Sequence, residues 1–255
     1  MEVLITGVGD AFTTRHFGSS ALIHGPGGYV QLDCPEPYLR VLREATEAAG
    51  WAVSPEQINN VIITHLHGDH CHGLEMFGSW RKIRRTIAMG DIAVDPSSGP
   101  TIPTIHAVEP VLARVWEKMA PSLDRAHTDD PRQLEDYFRT RELTVDAPAE
   151  VAGLKVRCRY TGHPVPTVGL LITSGGRTIG WSGDTPFEMA HIDWLSEADL
   201  IVHECNLGVA HTPIEKLNEL PSGIRSKMRL IHLPDDFDPG RTDIEILRPG
   251  QVLHL

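Results

Sequence analysis

Between Thr64 and His70 the chain reads Thr-His-Leu-His-Gly-Asp-His, which places four potential metal ligands within six residues. The run before it, Ile58–Ile63, is short, apolar and β-branched, and reads as a buried strand. The ligands therefore lie where a strand ends and a turn begins. On extended chain His65 and His67 point to the same side, because side-chain direction repeats every two residues. Gly68 is expected to take a positive φ and fold Asp69 and His70 back toward the same point. Three imidazoles and a carboxylate suit zinc or a similar divalent ion. Four ligands this close crowd a single tetrahedral ion, so a two-metal site is expected.

The remaining strand grammar says what kind of scaffold carries the cluster. In the first half, Leu4–Gly7, Ala21–His24 and Tyr29–Leu32 read as strands, and Pro37–Gly50 as a helix. Gly73–Arg85 reads as a helix and Thr86–Met89 as a short strand. In the second half, Leu154–Tyr160, Val168–Thr173, Thr178–Trp181, Leu200–His203, Leu230–His232 and Ile244–Leu247 read as strands. Helices are expected at Phe187–Ala198 and Pro213–Leu220. Two strand-rich halves flanked by helices predict an α/β fold, a four-layer αββα sandwich. No linker is evident, so residues 1–255 read as one domain with a partly helical insertion at about 91–150. Within that insertion, Val108–Ala120 and Gln133–Arg139 are the expected helices.

Charge narrows the partners. With 34 acidic and 23 basic side chains, the formal net charge is -11. Long nucleic acid, whose binding leans on clustered Lys and Arg, is a poor fit. The one basic cluster, Arg81-Lys82-Ile83-Arg84-Arg85, reads first as a solvated helix face and second as a patch for an anionic partner. The four cysteines (Cys34, Cys71, Cys158, Cys205) form no CxxC pair and fit reduced thiols. The opening residues lack a secretory pattern, and no apolar run approaches the ~20 residues of a membrane span. A cytoplasmic enzyme is the expectation.

A two-metal centre needs ligands beyond the first motif, and they should again lie at strand ends. Thr161-Gly162-His163-Pro164, Ser182-Gly183-Asp184-Thr185-Pro186 and Ile231-His232-Leu233-Pro234 have this form. Each sets one ligand-type side chain after a strand and before a proline that stops the strand. Together with the first cluster, these segments resemble the metallo-β-lactamase superfamily, and within it the ribonuclease Z and phosphodiesterase branch. Thr6-Gly7-Val8-Gly9, Thr13-Thr14-Arg15 and Ser19-Ser20 are similar to that branch's opening loop, and Leu32-Asp33-Cys34 to its second-strand signature. His203-Glu204-Cys205 and Ala210-His211-Thr212-Pro213 resemble its His-Glu strand end and its His-Ser/Thr segment.

The resemblance implies the ligand assignment. His65, His67 and His163 would hold one ion, Asp69, His70 and His232 the other, and Asp184 would bridge them. Two divalent ions are implied, zinc first, with manganese or iron as the other candidates. Asp69 would also orient or deprotonate the attacking water, and His211, steered by Glu204, would protonate the leaving oxygen. The other reading of Glu204 and His211 is support behind the metal site. The resemblance puts Asp69, not Cys71, in the ligand set. His24, His106, His127, His191 and His254 match nothing and read as structural or surface residues.

The implied activity is hydrolysis of a small anionic phosphodiester or nucleotide through a metal-bridging hydroxide. Ribonuclease Z-type cleavage of RNA fits less well, because no glycine-rich basic arm is present. Lactone or thioester hydrolysis on the same centre is the second enzyme reading, and a non-catalytic metal-binding or sensing module the third. A homodimer is common in the branch, with the helix at Arg81–Arg85 or those in 106–139 as candidate interfaces.

Overall fold

A computed structural model describes residues 1–90, 101–125 and 131–255. Its strands are β1 (Glu2–Gly7), β2 (Ser20–Gly25), β3 (Gly28–Leu32), β4 (Ile58–Ile62), β5 (Thr104–Ala107), β6 (Arg139–Glu142) and β7 (Ala149–Val151). They continue with β8 (Leu154–Tyr160), β9 (Val168–Ser174), β10 (Arg177–Trp181), β11 (Leu200–Glu204), β12 (Met228–Ile231), β13 (Glu245–Ile246) and β14 (Val252–His254). The helices are α1 (Tyr38–Ala49), α2 (Gly68–Cys71), α3 (Gly73–Gly90), α4 (Glu109–Leu123), α5 (Met189–Leu195), α6 (Ile214–Asn218) and α7 (Ser222–Arg225). Among the described residues no helix is long and apolar enough to cross a membrane.

Two seven-stranded mixed sheets run β14-β1-β2-β3-β4-β5-β6 and β13-β12-β11-β10-β9-β8-β7. The period-two rule shows how the second sheet separates two cores. In β9, Leu170 and Ile172 face the larger core, which is shared with the first sheet, while Leu171 faces the smaller one. Val202 and Ile231 repeat the inward choice, and Ile201 and Leu230 the outward one. Ile192, Leu195, Ile214 and Leu217 of α5 and α6 close the outward face. Tyr38 and Leu42 of α1, Leu74 and Phe77 of α3, and Val111 and Val115 of α4 join the larger core. The expected αββα sandwich is the observed fold.

The segment between 91 and 150 differs most from expectation. One of its two expected helices forms, as α4, whereas Gln133–Arg139 holds only a 3-10 turn at Leu134–Asp136 before β6 begins. That turn is closed by the Gln133 amide donating to Asp136 Oδ2 at 3.0 Å. Two strands, β5 and β6, extend the first sheet in parallel from β4. β6 is the outer strand and all four of its residues, Arg-Thr-Arg-Glu, are exposed, which keeps its open edge from pairing with another chain. The expected strand at Thr86–Met89 is helical instead, because α3 runs on to Gly90. Thr86 Oγ1 bonds back to the Lys82 carbonyl at 3.0 Å, which lets a β-branched residue sit in a helix.

The basic cluster on α3 is split: Ile83 and Arg84 lie on an exposed face, as expected, whereas Arg81 is buried. Arg81 is 1% exposed and forks onto four acceptors. It donates to the Pro55 and Ile58 carbonyls, to Asn59 Oδ1 at 2.7 Å and to the Thr101 carbonyl at 2.7 Å. Lys82 lies over the Tyr137 ring at 4.3 Å and Arg84 pairs with Glu56 at 2.9 Å. These contacts tie α3 to β4 and to the turn before β6. Arg81→Met is expected to destabilise the fold by on the order of 3 kcal/mol, because buried carbonyls lose their donors. Urea unfolding would measure it; a change below about 0.5 kcal/mol would contradict the clamp.

Candidate metal centre

The first group of side chains is aimed by the turn after β4. Asp33, fully buried with φ 53°, accepts from the Thr64 amide at 2.8 Å and from Thr64 Oγ1 at 2.8 Å. This pins the chain as it leaves the strand. His67 then stands at the N-cap of α2, and Asp69 and His70 lie within that short helix. Gly68 does not take a positive φ, contrary to expectation; it opens α2 with helical backbone. Its small size is needed for space, since a Cβ there would come within 2.5 Å of the His72 ring. Gly18 matters likewise: a Cβ on it would meet the Asp69 carbonyl oxygen at 2.2 Å.

The second sheet delivers its side chains from three strand ends. His163 follows β8, Asp184 follows β10 and His232 follows β12. Gly183, at φ 59° and with a Cβ position 2.5 Å from the Val168 carbonyl oxygen, makes the turn that presents Asp184. His232 itself is left-handed at φ 61°, a conformation that costs a non-glycine residue about 1 kcal/mol and recurs at functional sites.

These seven side chains converge. Ligand atoms of His65, His67, His163 and Asp184 lie within 4.8 Å of one another, as do those of Asp69, His70 and His232. Asp184 reaches toward both groups, with Oδ2 3.6 Å from His65 Nε2 and Oδ1 3.4 Å from His70 Nε2. His232 Nε2 lies 3.3 Å from Asp69 Oδ2 and 3.5 Å from Asp184 Oδ2. His211 is also within ligand range of Asp184 and His232.

The residues fit divalent cations on two counts. His65 Nε2 and His70 Nε2 are buried without a hydrogen-bond partner, yet both face the cluster. In addition, the far nitrogens of three imidazoles are already held: His70 Nδ1 by Asp33 at 2.8 Å, His163 Nδ1 by the Ala210 carbonyl at 3.2 Å, and His65 Nδ1 by Thr64 Oγ1 at 3.1 Å. Fixing the far nitrogen turns the other toward the centre, as metal-ligating histidines require. Electrostatics agrees. Burial pushes the Asp184 carboxyl up, but the facing His232, His70 and His65 outweigh it and hold it well below the usual carboxylate range. Burial pulls His232 down, yet Asp184, Asp69 and Glu204 bring it to about 9. Clustered carboxylates here favour positive charge, which a divalent cation supplies at any pH.

Beside this cluster stands the Glu204–His211 pair. Glu204 is 1% exposed at the end of β11, and its oxygens lie 3.0 and 3.1 Å from His211 Nδ1. Burial pushes the Glu204 carboxyl up despite that bond. Burial pulls the His211 imidazole down, but the hydrogen bond and charge of Glu204 outweigh it and raise it above the ordinary histidine value. With Asp69, Asp184 and His232, His211 lines one open cleft of about 500 Å³.

Four features of the site went unassigned in the sequence. Asp33 was legible only as part of a signature, because its partners Thr64 and His70 are remote in sequence. Asp10 and Asn206 carried no signal; they bond to each other at 3.1 Å, and Asn206 lies on the cleft wall. Phe12, which also lines the cleft, carried no signal either. Of the unassigned histidines, His106 bonds to Asn60 Oδ1 at 2.9 Å, His191 donates to the Ser182 carbonyl at 3.0 Å, and His24 stacks on Tyr29. His254 lies at the surface near Glu2, and His127 is outside the described residues. Burial pushes the Cys71 thiol up to about 12, and Cys71 belongs to none of the converging ligand groups.

Comparison with known proteins gives concordant matches. A family model described as anti-Pycsar protein Apyc1 matches residues 1–250. The anti-Pycsar protein Apyc1 of Saccharibacillus brassicae is 28% identical, over 99% of both chains. The cAMP/cGMP-dependent 3',5'-cAMP/cGMP phosphodiesterase B of Dictyostelium discoideum is 24% identical over 77% of this chain and 17% of its own length. In structure, the metallo-β-lactamase fold protein YhfI of Bacillus subtilis superposes with a TM-score of 0.76 at 17% identity, covering 99% of each chain.

Proposed function

Because the chain belongs to the anti-Pycsar protein Apyc1 family, a group of metal-dependent hydrolases on the metallo-β-lactamase fold, we propose that it hydrolyses a 3',5'-cyclic nucleotide. The observation that carries this reading is the placement of His211, backed by Glu204, on the same cleft as the His/Asp cluster. Ester hydrolysis with a good leaving group has no need of a proton donor there, whereas departure of a ribose alkoxide does. The relatives named for cyclic nucleotides point the same way.

In this reading His65, His67 and His163 would hold one ion and Asp69, His70 and His232 a second, with Asp184 shared between them and zinc as the metal. Bound there, the ions supply water activation near neutral pH and Lewis-acid polarisation of the phosphoryl oxygens. Asp69, on the cleft floor, accepts the proton of the attacking water. His211 Nε2 gives its proton to the departing 3'-oxygen as the P–O bond breaks, so water and a cyclic phosphodiester become a nucleoside 5'-monophosphate with a free 3'-hydroxyl. Glu204 keeps the imidazole charged and its ring plane fixed. Asp33 orients His70 through Nδ1.

The substrate is thus small and anionic, and in a chain of net charge -11 the cations bound at this cluster would supply the positive charge that attracts it. Four free, buried cysteines support a reducing compartment, and we place the protein in the cytoplasm, as a homodimer on the family resemblance. The test is a substrate panel run on protein of measured metal content: cyclic nucleotides, bis(p-nitrophenyl) phosphate, lactones and thioesters. Turnover of cyclic nucleotides is expected. Turnover of lactones or thioesters with none of any phosphodiester would overturn the reading.

A further inference from the structure

Phe12 is 88% exposed, although it borders the same cleft as Asp69, Asp184, His211 and His232. Most exposed rings on loops are free to move. This one is held. The loop that carries it is pinched at its base, where the Gly9 amide donates to the Phe17 carbonyl at 2.9 Å and the Ser19 amide to the Gly9 carbonyl at 3.1 Å. A Cβ on Gly9 would fall 2.5 Å from the Thr13 side chain, so the packing within the loop is tight. Its tip is strapped to Asp235, which accepts from Thr13 Oγ1 at 2.5 Å, from the Thr14 amide at 2.7 Å and from Thr14 Oγ1 at 2.7 Å. Arg15 adds a bond to the Asp235 carbonyl at 3.2 Å. The Phe12 amide is fixed in turn by Asp10 Oδ1 at 3.0 Å, and Asp10 Oδ2 also accepts from Asn206 on the cleft wall.

A large apolar ring held in water beside a charged floor matches the two ends of a nucleotide, which is anionic at the phosphate and flat and weakly polar at the base. Leu207 and Val209, exposed at 64% and 99%, lie in the loop between the cleft-lining residues Asn206 and His211. We propose that Phe12 is a positioning residue on which the nucleobase stacks while the phosphodiester sits at the His/Asp cluster. The inference rests on the cyclic-nucleotide reading and adds where the base goes and how it is recognised.

The experiment compares a 3',5'-cyclic nucleotide with 1-O-methylribose 3',5'-cyclic phosphate, which keeps the scissile ring and lacks the base. In the wild type the cyclic nucleotide has the higher kcat/KM. Phe12→Ala is expected to lower the ratio of the two kcat/KM values about tenfold, mainly through KM for the nucleotide. Phe12→Trp restores the ratio. Asp235→Ala, which releases the strap without touching the ring, lowers it part of the way. A ratio unchanged by Phe12→Ala, or not rescued by Trp, overturns the inference. Equal loss on both substrates with a shift in sedimentation also overturns it and assigns the ring to contact with a second copy. A metal-loaded wild type that turns over neither cyclic substrate instead removes the phosphodiesterase reading.

Discussion

Asp184→Ala is expected to lower kcat/KM for a cyclic nucleotide by about 10³-fold or more, with a parallel fall in bound metal. Asp184 reaches toward both halves of the cluster: its two oxygens approach His65 on one side and His70 on the other. On the proposed assignment, removing it would take the shared carboxylate from two ions at once. Metal content per chain, measured on the same sample as the kinetics, falls toward one ion or none. Asp184→Asn keeps the shape while removing the charge, and is expected to lose nearly as much. Retention of two ions and of activity within tenfold would show that the carboxylate does not bridge.

The second large effect is on His211. His211→Ala is expected to cost about 10²- to 10⁴-fold on a cyclic nucleotide, whose alkoxide needs a proton. On a p-nitrophenyl phosphodiester the loss is far smaller, because nitrophenolate leaves without help. The pH profile supplies an independent readout. Burial lowers the His211 imidazole, Glu204 more than compensates, and the net shift is upward. If His211 is the proton donor proposed above, its acid form is the active one, and activity is expected to fall as pH rises through that raised value. The variant lacks this alkaline limb. Glu204→Gln, which removes the charge behind the ring, moves the limb to lower pH. Equal losses on both substrates, with the limb intact, would mean that His211 supports the metal site and donates no proton.

Much of the candidate site was legible because its chemistry is local in sequence. His65 to His70 sit in one turn, and His163, Asp184 and His232 each announce themselves by a strand before and a proline close behind. The alternating pattern of β8 and the apolar runs of β9 and β11 likewise gave the layers. What escaped depends on partners far along the chain. Asp33 reads as one acidic residue after a strand until Thr64 and His70 fold against it. Arg81 reads as one of four surface charges until Asn59 and the carbonyls of Pro55 and Ile58 close around it. β5 and β6 are four residues each, too short for a period to show, and their strand character comes from the growing parallel sheet. Gly68 was misread because a glycine in a turn suggests φ, whereas here the neighbouring His72 ring requires only the missing Cβ.

The first sheet supplies its four cluster side chains from a single turn, and the second supplies three from separate strand ends. A cation seated among them would therefore be a rivet through two plates. Its removal would loosen the joint between layers before it frayed any one strand. The larger core, which lies along that joint, would breathe when the ions leave, so the protein's lifetime in a metal-poor medium is tied to the same side chains as its chemistry.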